Sequence, residues 1–214
     1  MERVTAKICG LSTPETVGAA VRHGASHVGF VFFLNSPRHV EPDQAGALGA
    51  IVPEHVRKAG VFVDPDDALL ADAIARGGLD ILQLHGDESP ERVAAIREIH
   101  QREIWKAISV RTRADLDAAR KYAGLVDLIL YDAKTPKGSA LPGGMGLRFD
   151  WTLLDGVVHA QRWALSGGIG IDNVERAVSL TGARLIDTSS GVESAPGIKD
   201  VDKIAAFLQA TAQS

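Results

Sequence analysis

The chain has 214 residues, 45% of them hydrophobic and 23% charged, with a formal net charge of -4. Such a composition belongs to a soluble globular protein with room for one large domain or two small ones. Its mild acidity excludes the basic surface that nucleic acid or an anionic membrane would require. The single cysteine, Cys9, excludes an internal disulfide, fits a reducing compartment and leaves no thiol cluster for a structural zinc. No secretory segment precedes the first strand-like run, and no apolar stretch approaches the roughly 18 residues of a membrane span, so a cytoplasmic location is expected.

In chain order, short apolar runs alternate with stretches of helical spacing. "VTAKICG" (4–10) ends on Cys9 and Gly10, and "TPETVGAAVRHGA" follows with Thr13 as N-cap and Pro14 at the first helical position. "HVGFVFF" (27–33) and "AGVFV" (59–63) come next; "DPDDALLADAIARGG" repeats the proline opening, at Pro65, and stops at a glycine pair. "DILQLHG" (80–86) leads into "SPERVAAIREIH", headed by Ser89 and Pro90. "EIWKAIS" (103–109), "VDLILYDA" (126–133), "RWALSGG" (162–168) and "RLIDTSSG" (184–191) follow, and Thr112, Asp172 and Asp200 head the later helices. The runs are β-branched or Leu-rich and end in glycine or small polar residues, as buried parallel strands do.

About eight strand–helix units in tandem, with no composition break, predict a (β/α)₈ barrel spanning 1–214 as one domain. An open doubly wound sheet would carry a phosphate-binding glycine fingerprint after its first strand, and "CGLSTPE" has none.

Barrel enzymes place reactive groups at the C-terminal ends of strands, and every second side chain faces the axis. Thr5, Lys7 and Cys9 then share one parity, as do Ile81, Gln83 and His85, and Leu128, Leu130 and Asp132. Cys9, His85 and Asp132 are therefore mouth-facing. By residue type alone, Cys9 could equally be a small buried hydrophobe, Asp132 a helix cap and His85 a structural histidine. Barrel closure makes the first and last strands neighbours. The same parity then turns Asp187 inward beside Lys7, and a salt bridge beneath Cys9 is predicted, its cation favouring the thiolate. His23 and His27 have helical i,i+4 spacing but no third ligand, and are expected at the surface.

"LSGGIGIDN" and "TSSGVES" end the last two strands, where barrels often hold a phosphate; Gly167, Gly168 and Gly191 would let the backbone approach an anion. "AKTPKGSALPGGMGLRFDW" (133–151) is long enough to be a lid. Arg38, in "LNSPRHVEP" (34–42), suits a bidentate grip on a substrate carboxylate.

"KICGL" (7–11), "SPR" (36–38), "QLHG" (83–86), "DA" (132–133), "GGMGLRFDW" (143–151), "LSGGI" (165–169) and "DTSSGVE" with "PGIKD" (187–200) occur in order, mostly at strand ends. This set resembles the phosphoribosylanthranilate isomerase family of tryptophan biosynthesis, although Met145 stands where that family more usually has Thr or Ser. The resemblance implies a cofactor-free Amadori rearrangement of N-(5′-phosphoribosyl)anthranilate, with Cys9 as general base and Asp132 as general acid. It further implies that Arg38 holds the substrate carboxylate. By their place at the mouth, His85, Gly167, Gly168, Ser189, Ser190 and Gly191 are expected to contribute to substrate binding. The expected partner is a small phosphorylated molecule, with no metal, nucleic acid or membrane, and a monomer is expected. The alternatives are a histidine-pathway or dual-substrate isomerase, which would use an aspartate as base, and a non-catalytic phosphate-binding barrel.

Overall fold

The computed structural model describes residues 3–135 and 143–214. Eight parallel strands close into a barrel in sequence order. They are β1 (Thr5–Cys9), β2 (His27–Phe32), β3 (Arg57–Phe62), β4 (Ile81–Leu84), β5 (Glu103–Val110), β6 (Leu128–Ala133), β7 (Trp163–Leu165) and β8 (Leu185–Thr188). β8 pairs with β1 in a register that sets Lys7 beside Asp187. A hairpin, β9 (Glu193–Ala195) and β10 (Ile198–Lys199), follows β8.

The outer layer holds α1 (Pro14–Arg22), α2 (Pro42–Gly49), α3 (Asp67–Gly77), α4 (Pro90–His100), α5 (Val174–Thr181) and α6 (Val201–Gln213). Thr13, Ser89 and Asp200 cap α1, α4 and α6 with side-chain oxygens that accept backbone N–H groups, as expected. Two helices start later than their sequence suggests. α3 is capped by Asp66, because Asp64 adopts a φ of 46° and spends its carboxylate on Asp87 N–H. α5 is capped by Asn173 rather than Asp172, the Asn173 amide folding back onto Gly168 O and Gly170 N–H. After Thr112 the chain forms a 3₁₀ segment, Arg113–Tyr122, and another short one, Trp151–Leu154, lies between β6 and β7. Residues 136–142 of the expected lid lie outside the described residues.

Period-2 alternation separates two cores. Ala59, Ile81, Trp105, Ala107, Leu128, Leu130, Ala164 and Leu185 pack together inside the barrel. Ala6, Ile8, Ile129 and Tyr131 turn outward into the layer beneath the helices. Burial thereby fixes which side chains reach the mouth, since a one-residue slip would invert every strand. No helix among the described residues is long and apolar enough to cross a membrane.

His27 is not the surface residue its spacing with His23 suggested, because it begins β2 instead of continuing a helix. Its ring lies 5.0 Å from that of Trp105, and Nδ1 is 2.8 Å from Ser26 Oγ. Ser26 Oγ donates to Ala6 O, so it accepts from His27 Nδ1–H. Burial first, then Lys7 and Arg57, push the imidazole down to about 4. The unfolded chain therefore binds the extra proton between pH 6.5 and about 4, and stability falls as the pH drops through that window. The loss amounts to about 3 kcal/mol once both states are protonated. His27→Phe, which keeps an aromatic partner for Trp105, should flatten this slope relative to the parent in urea unfolding at pH 4.5 and 7. An unchanged pH 4.5-to-7 difference would remove His27 as its source.

Candidate active site

A cleft of about 800 Å³, open mouth included, sits at the C-terminal end of the barrel. Cys9, Arg38, His85, Asp132, Gly167, Gly168, Ser189 and Ser190 all line it, so separate strand ends deliver nearly the whole predicted set to one place. Gly191 is absent from the lining. It presses against Ile169 O, where an added Cβ would collide, and Thr188 Oγ1 donates to that same carbonyl at 2.6 Å. Its smallness serves contact between the β7 and β8 loops.

Cys9 ends β1 and is 6% exposed. Below it, Lys7 Nζ donates to Asp187 Oδ1 at 2.8 Å, and Asp187 Oδ2 accepts from Ser166 Oγ at 3.1 Å. Gly29 makes room, since a Cβ there would stand 3.1 Å from both Cys9 Sγ and Lys7 Cε. Gly10 is needed twice over: its φ is 76°, and a Cβ would come within 2.6 Å of Arg38 Cδ. Burial alone would lower the Lys7 ammonium, but Asp187 and Cys9 outweigh it and hold it above its ordinary value. Burial pushes the Cys9 thiol up; Lys7 draws it down, and Asp187 pushes it up again. The cation acts in the expected direction, yet desolvation wins, and the resting group is a thiol.

Asp132 ends β6. Its Oδ2 lies 3.0 Å from His85 Nε2, and its Oδ1 accepts Ala133 N–H at 2.8 Å. Gly143 and Gly167 close on this carboxyl from two sides; a Cβ on either would stand 2.7 Å from Oδ2 or 2.9 Å from Oδ1, respectively. Behind His85, Gln83 Nε2 stands 3.4 Å from Nδ1, while Gln83 Oε1 is buried without a partner among the described residues.

Arg38 is 5% exposed, unlike a solvated loop arginine. Nε and Nη2 donate to the two carboxylate oxygens of Glu193, at 2.7 and 2.8 Å, and Nη2 also donates to Gly144 O at 3.0 Å. The predicted bidentate grip exists, but an internal carboxylate fills it. Nη1 is the remaining edge, on the Gly144 side, with no hydrogen-bond partner among the described residues. Lys199 Nζ donates to Glu193 Oε1 at 2.6 Å and to Ser189 O and Oγ at 2.9 and 3.0 Å. Burial would raise the Glu193 carboxyl, but Arg38 and Lys199 hold it below its ordinary value. Sequence reasoning did not single out Glu193 or Lys199. Their signal was the "VESAPGIKD" hairpin, which brings both under Ser189.

Lys7→Met should leave Asp187 buried without its counter-charge, costing about 3–5 kcal/mol, and should remove the main influence that draws the thiol down. Urea unfolding checks the first effect. For the second, the ascending limb of the kcat/KM–pH profile should move to higher pH; a limb that stays put would uncouple the pair from Cys9.

The family described as N-(5′-phosphoribosyl)anthranilate (PRA) isomerase matches residues 6–210 of this chain. N-(5′-phosphoribosyl)anthranilate isomerase of Zymomonas mobilis subsp. pomaceae is 58% identical over 208 residues, 97% of each chain. That of Rhodospirillum centenum is 51% identical over 210 residues, 98% of each chain. The crystal structure of phosphoribosyl anthranilate isomerase from Thermotoga maritima aligns with a TM-score of 0.88 at 34% identity, over 99% of this chain and 100% of that one. A phosphoribosyl anthranilate isomerase in complex with reduced 1-(o-carboxyphenylamino)-1-deoxyribulose 5-phosphate aligns with a TM-score of 0.86 at 32% identity, over the same shares. A closed eight-stranded barrel, a mouth that gathers the predicted side chains and full-length similarity agree: this chain belongs to the N-(5′-phosphoribosyl)anthranilate isomerase family.

Proposed function

We propose that Cys9 and Asp132 are the proton-transfer pair with which this isomerase of tryptophan biosynthesis converts N-(5′-phosphoribosyl)anthranilate to 1-(2-carboxyphenylamino)-1-deoxyribulose 5-phosphate. The observation that carries the assignment is their placement: a thiol from β1 and a carboxyl from β6 line one cleft. They enter it from non-adjacent strands of the barrel.

Asp132 gives a proton to the furanose ring oxygen, and the C1′–O bond breaks to leave an iminium. Its hydrogen-bond partner His85, 3.0 Å away, orients the carboxyl and can return the proton. The iminium makes the C2′ proton acidic, and Cys9 removes it as thiolate; the enolamine then tautomerises to the ketone. Burial holds the Cys9 thiol high at rest, and a cation within about 4–6 Å favours the charged form of an acid. The iminium is such a cation, so ring opening favours release of the thiol's own proton to solvent through the open mouth, and the thiolate left behind takes the C2′ proton. Every step is a proton transfer within one substrate, and the chemistry calls for no electron acceptor.

The 5′-phosphate goes to the side of the mouth formed by the β7 and β8 loops. There Ser190 and Gly191 open a short 3₁₀ turn, Ser190–Val192, whose first N–H groups have no partner inside the turn. Gly168 lines the cleft across from it with a φ of 62°. Arg38 offers Nη1 to the anthranilate carboxylate while Glu193 holds its other edge.

Cys9→Ala and Asp132→Asn should each lower kcat by about 10²–10⁴, the usual worth of a positioned acid or base, while retaining product binding. Cys9→Ser should be nearly as poor, because a hydroxyl is far less acidic than a thiol. The assay is loss of substrate fluorescence with freshly generated phosphoribosylanthranilate; near-normal kcat would take the altered residue out of the mechanism. Arg38→Ala should raise KM by about 10- to 100-fold, one charge-assisted contact's worth, and leave competitive inhibition by inorganic phosphate unchanged. A matching loss of phosphate inhibition would merge the two subsites.

A further inference from the structure

Trp105 and Ala107 face the barrel interior, so Lys106 between them points outward, toward the helical layer. An outward lysine ordinarily reaches solvent, yet this one is 2% exposed. Its Nζ donates to Gly86 O at 2.8 Å, to Ala107 O at 3.0 Å and, more weakly, to Leu84 O at 3.4 Å. Glu88 Oε2 stands 3.1 Å away as the counter-charge, and the Tyr122 ring centre lies 5.6 Å from the ammonium. The other Glu88 oxygen accepts from Gly86 N–H and Asp64 N–H, each at 3.0 Å. Tyr122 O–H donates to Glu88 O at 2.8 Å. Burying such a pair carries a desolvation penalty of several kcal/mol per ion, and the acid–base chemistry above makes no direct use of it.

What the cluster holds is the end of β4. Leu84 and Gly86, whose carbonyls Lys106 binds, are the residues on either side of His85, and His85 N–H donates to Phe62 O at 2.8 Å. Gly86 is itself wedged: a Cβ there would stand 2.7 Å from Asp64 N, and Asp64 occupies left-handed backbone with a φ of 46°. The peptides that carry His85 are thus pinned from below and from outside, and from that base the ring reaches Asp132 Oδ2.

We infer that Lys106 is a positioning residue for the acid: paired with Glu88, it clamps residues 84–86 from outside the barrel and so sets His85 against Asp132. The inference rests on the roles proposed above for His85 and Asp132. A reacting group displaced by about 1 Å can cost about 10²-fold in rate. The phosphate and carboxylate contacts lie on other strands and should not feel the clamp.

The experiment is a double-mutant cycle of Lys106→Met with His85→Ala, read as kcat and KM of the full chain and normalised to product-binding sites. Lys106→Met should lower kcat by about 10- to 100-fold with KM within about twofold of the parent. In the His85→Ala background it should cost nothing further. An equal loss in both backgrounds, or a lower Tm with kcat intact, would leave Lys106 a purely structural residue and overturn the inference. Should Lys106→Met not yield folded protein, Glu88→Gln takes its place and should show the same signature, a kcat loss present only with His85. Normal kcat in His85→Ala and Asp132→Asn alone would overturn the acid assignment itself, a failure visible before Lys106 is touched.

Discussion

A lysine and an aspartate buried inside the barrel, 2.8 Å apart, constrain everything above them. Lys7 is fully buried and its counter-charge Asp187 lines the base of the cleft, so β1 and β8 close in the register that pairs the two. That register lifts Cys9 to the mouth, and Gly29 beside it leaves room, since even a Cβ there would crowd Lys7 and Cys9 at 3.1 Å. A buried ion pair is weak evidence for stability, because desolvation consumes much of the attraction. Its value here lies in the field it presents to the thiol above: a cation that draws the thiol down, moderated by an anion that pushes it up.

Two further buried pairs repeat the principle at other levels. Arg38–Glu193, with Lys199 behind it, locks a mouth loop to the hairpin after β8. Lys106–Glu88 locks the end of β4 from the helical side. In each, the charged groups hold backbone carbonyls or N–H groups as well as each other. Loops that carry substrate-facing residues thereby gain the rigidity that strands have from their ladders, which suits a reaction whose acid and base must not drift.

Much of this was legible because strands obey a period of two and barrels close. Those two rules turn Cys9, His85 and Asp132 toward one mouth and place Asp187 beside Lys7 from the sequence alone. What stayed hidden depends on contacts no local pattern encodes. Arg38 and Glu193 are 155 positions apart, so an arginine that looked free for substrate is already gripped. Gly191 reads as an anion-binding glycine, and only the packed loops show that it must also be small to sit against Ile169 O. His27 was misplaced because i,i+4 spacing presumes a helix, whereas a turn at Gly24 intervenes and His27 opens a strand. Lys106 faces outward by parity, and only the folded chain shows Tyr122 and Glu88 closing over it.

Burial holds the Cys9 thiol high, and the base role proposed for it depends on the charge that the substrate brings. The thiolate is the form that alkylating agents and oxidants attack, so burial that keeps the group above Lys7 and Asp187 in its thiol form also shields it from them. Opening of the sugar ring then places a positive iminium beside the proton Cys9 must take, and the same low-dielectric surroundings that disfavoured the lone thiolate strengthen its attraction to that cation. Desolvation and the substrate's transient charge are therefore two halves of one device. On the mechanism proposed above, the base is thereby withheld until the acid at Asp132 has acted, and the order of the two proton transfers follows from electrostatics.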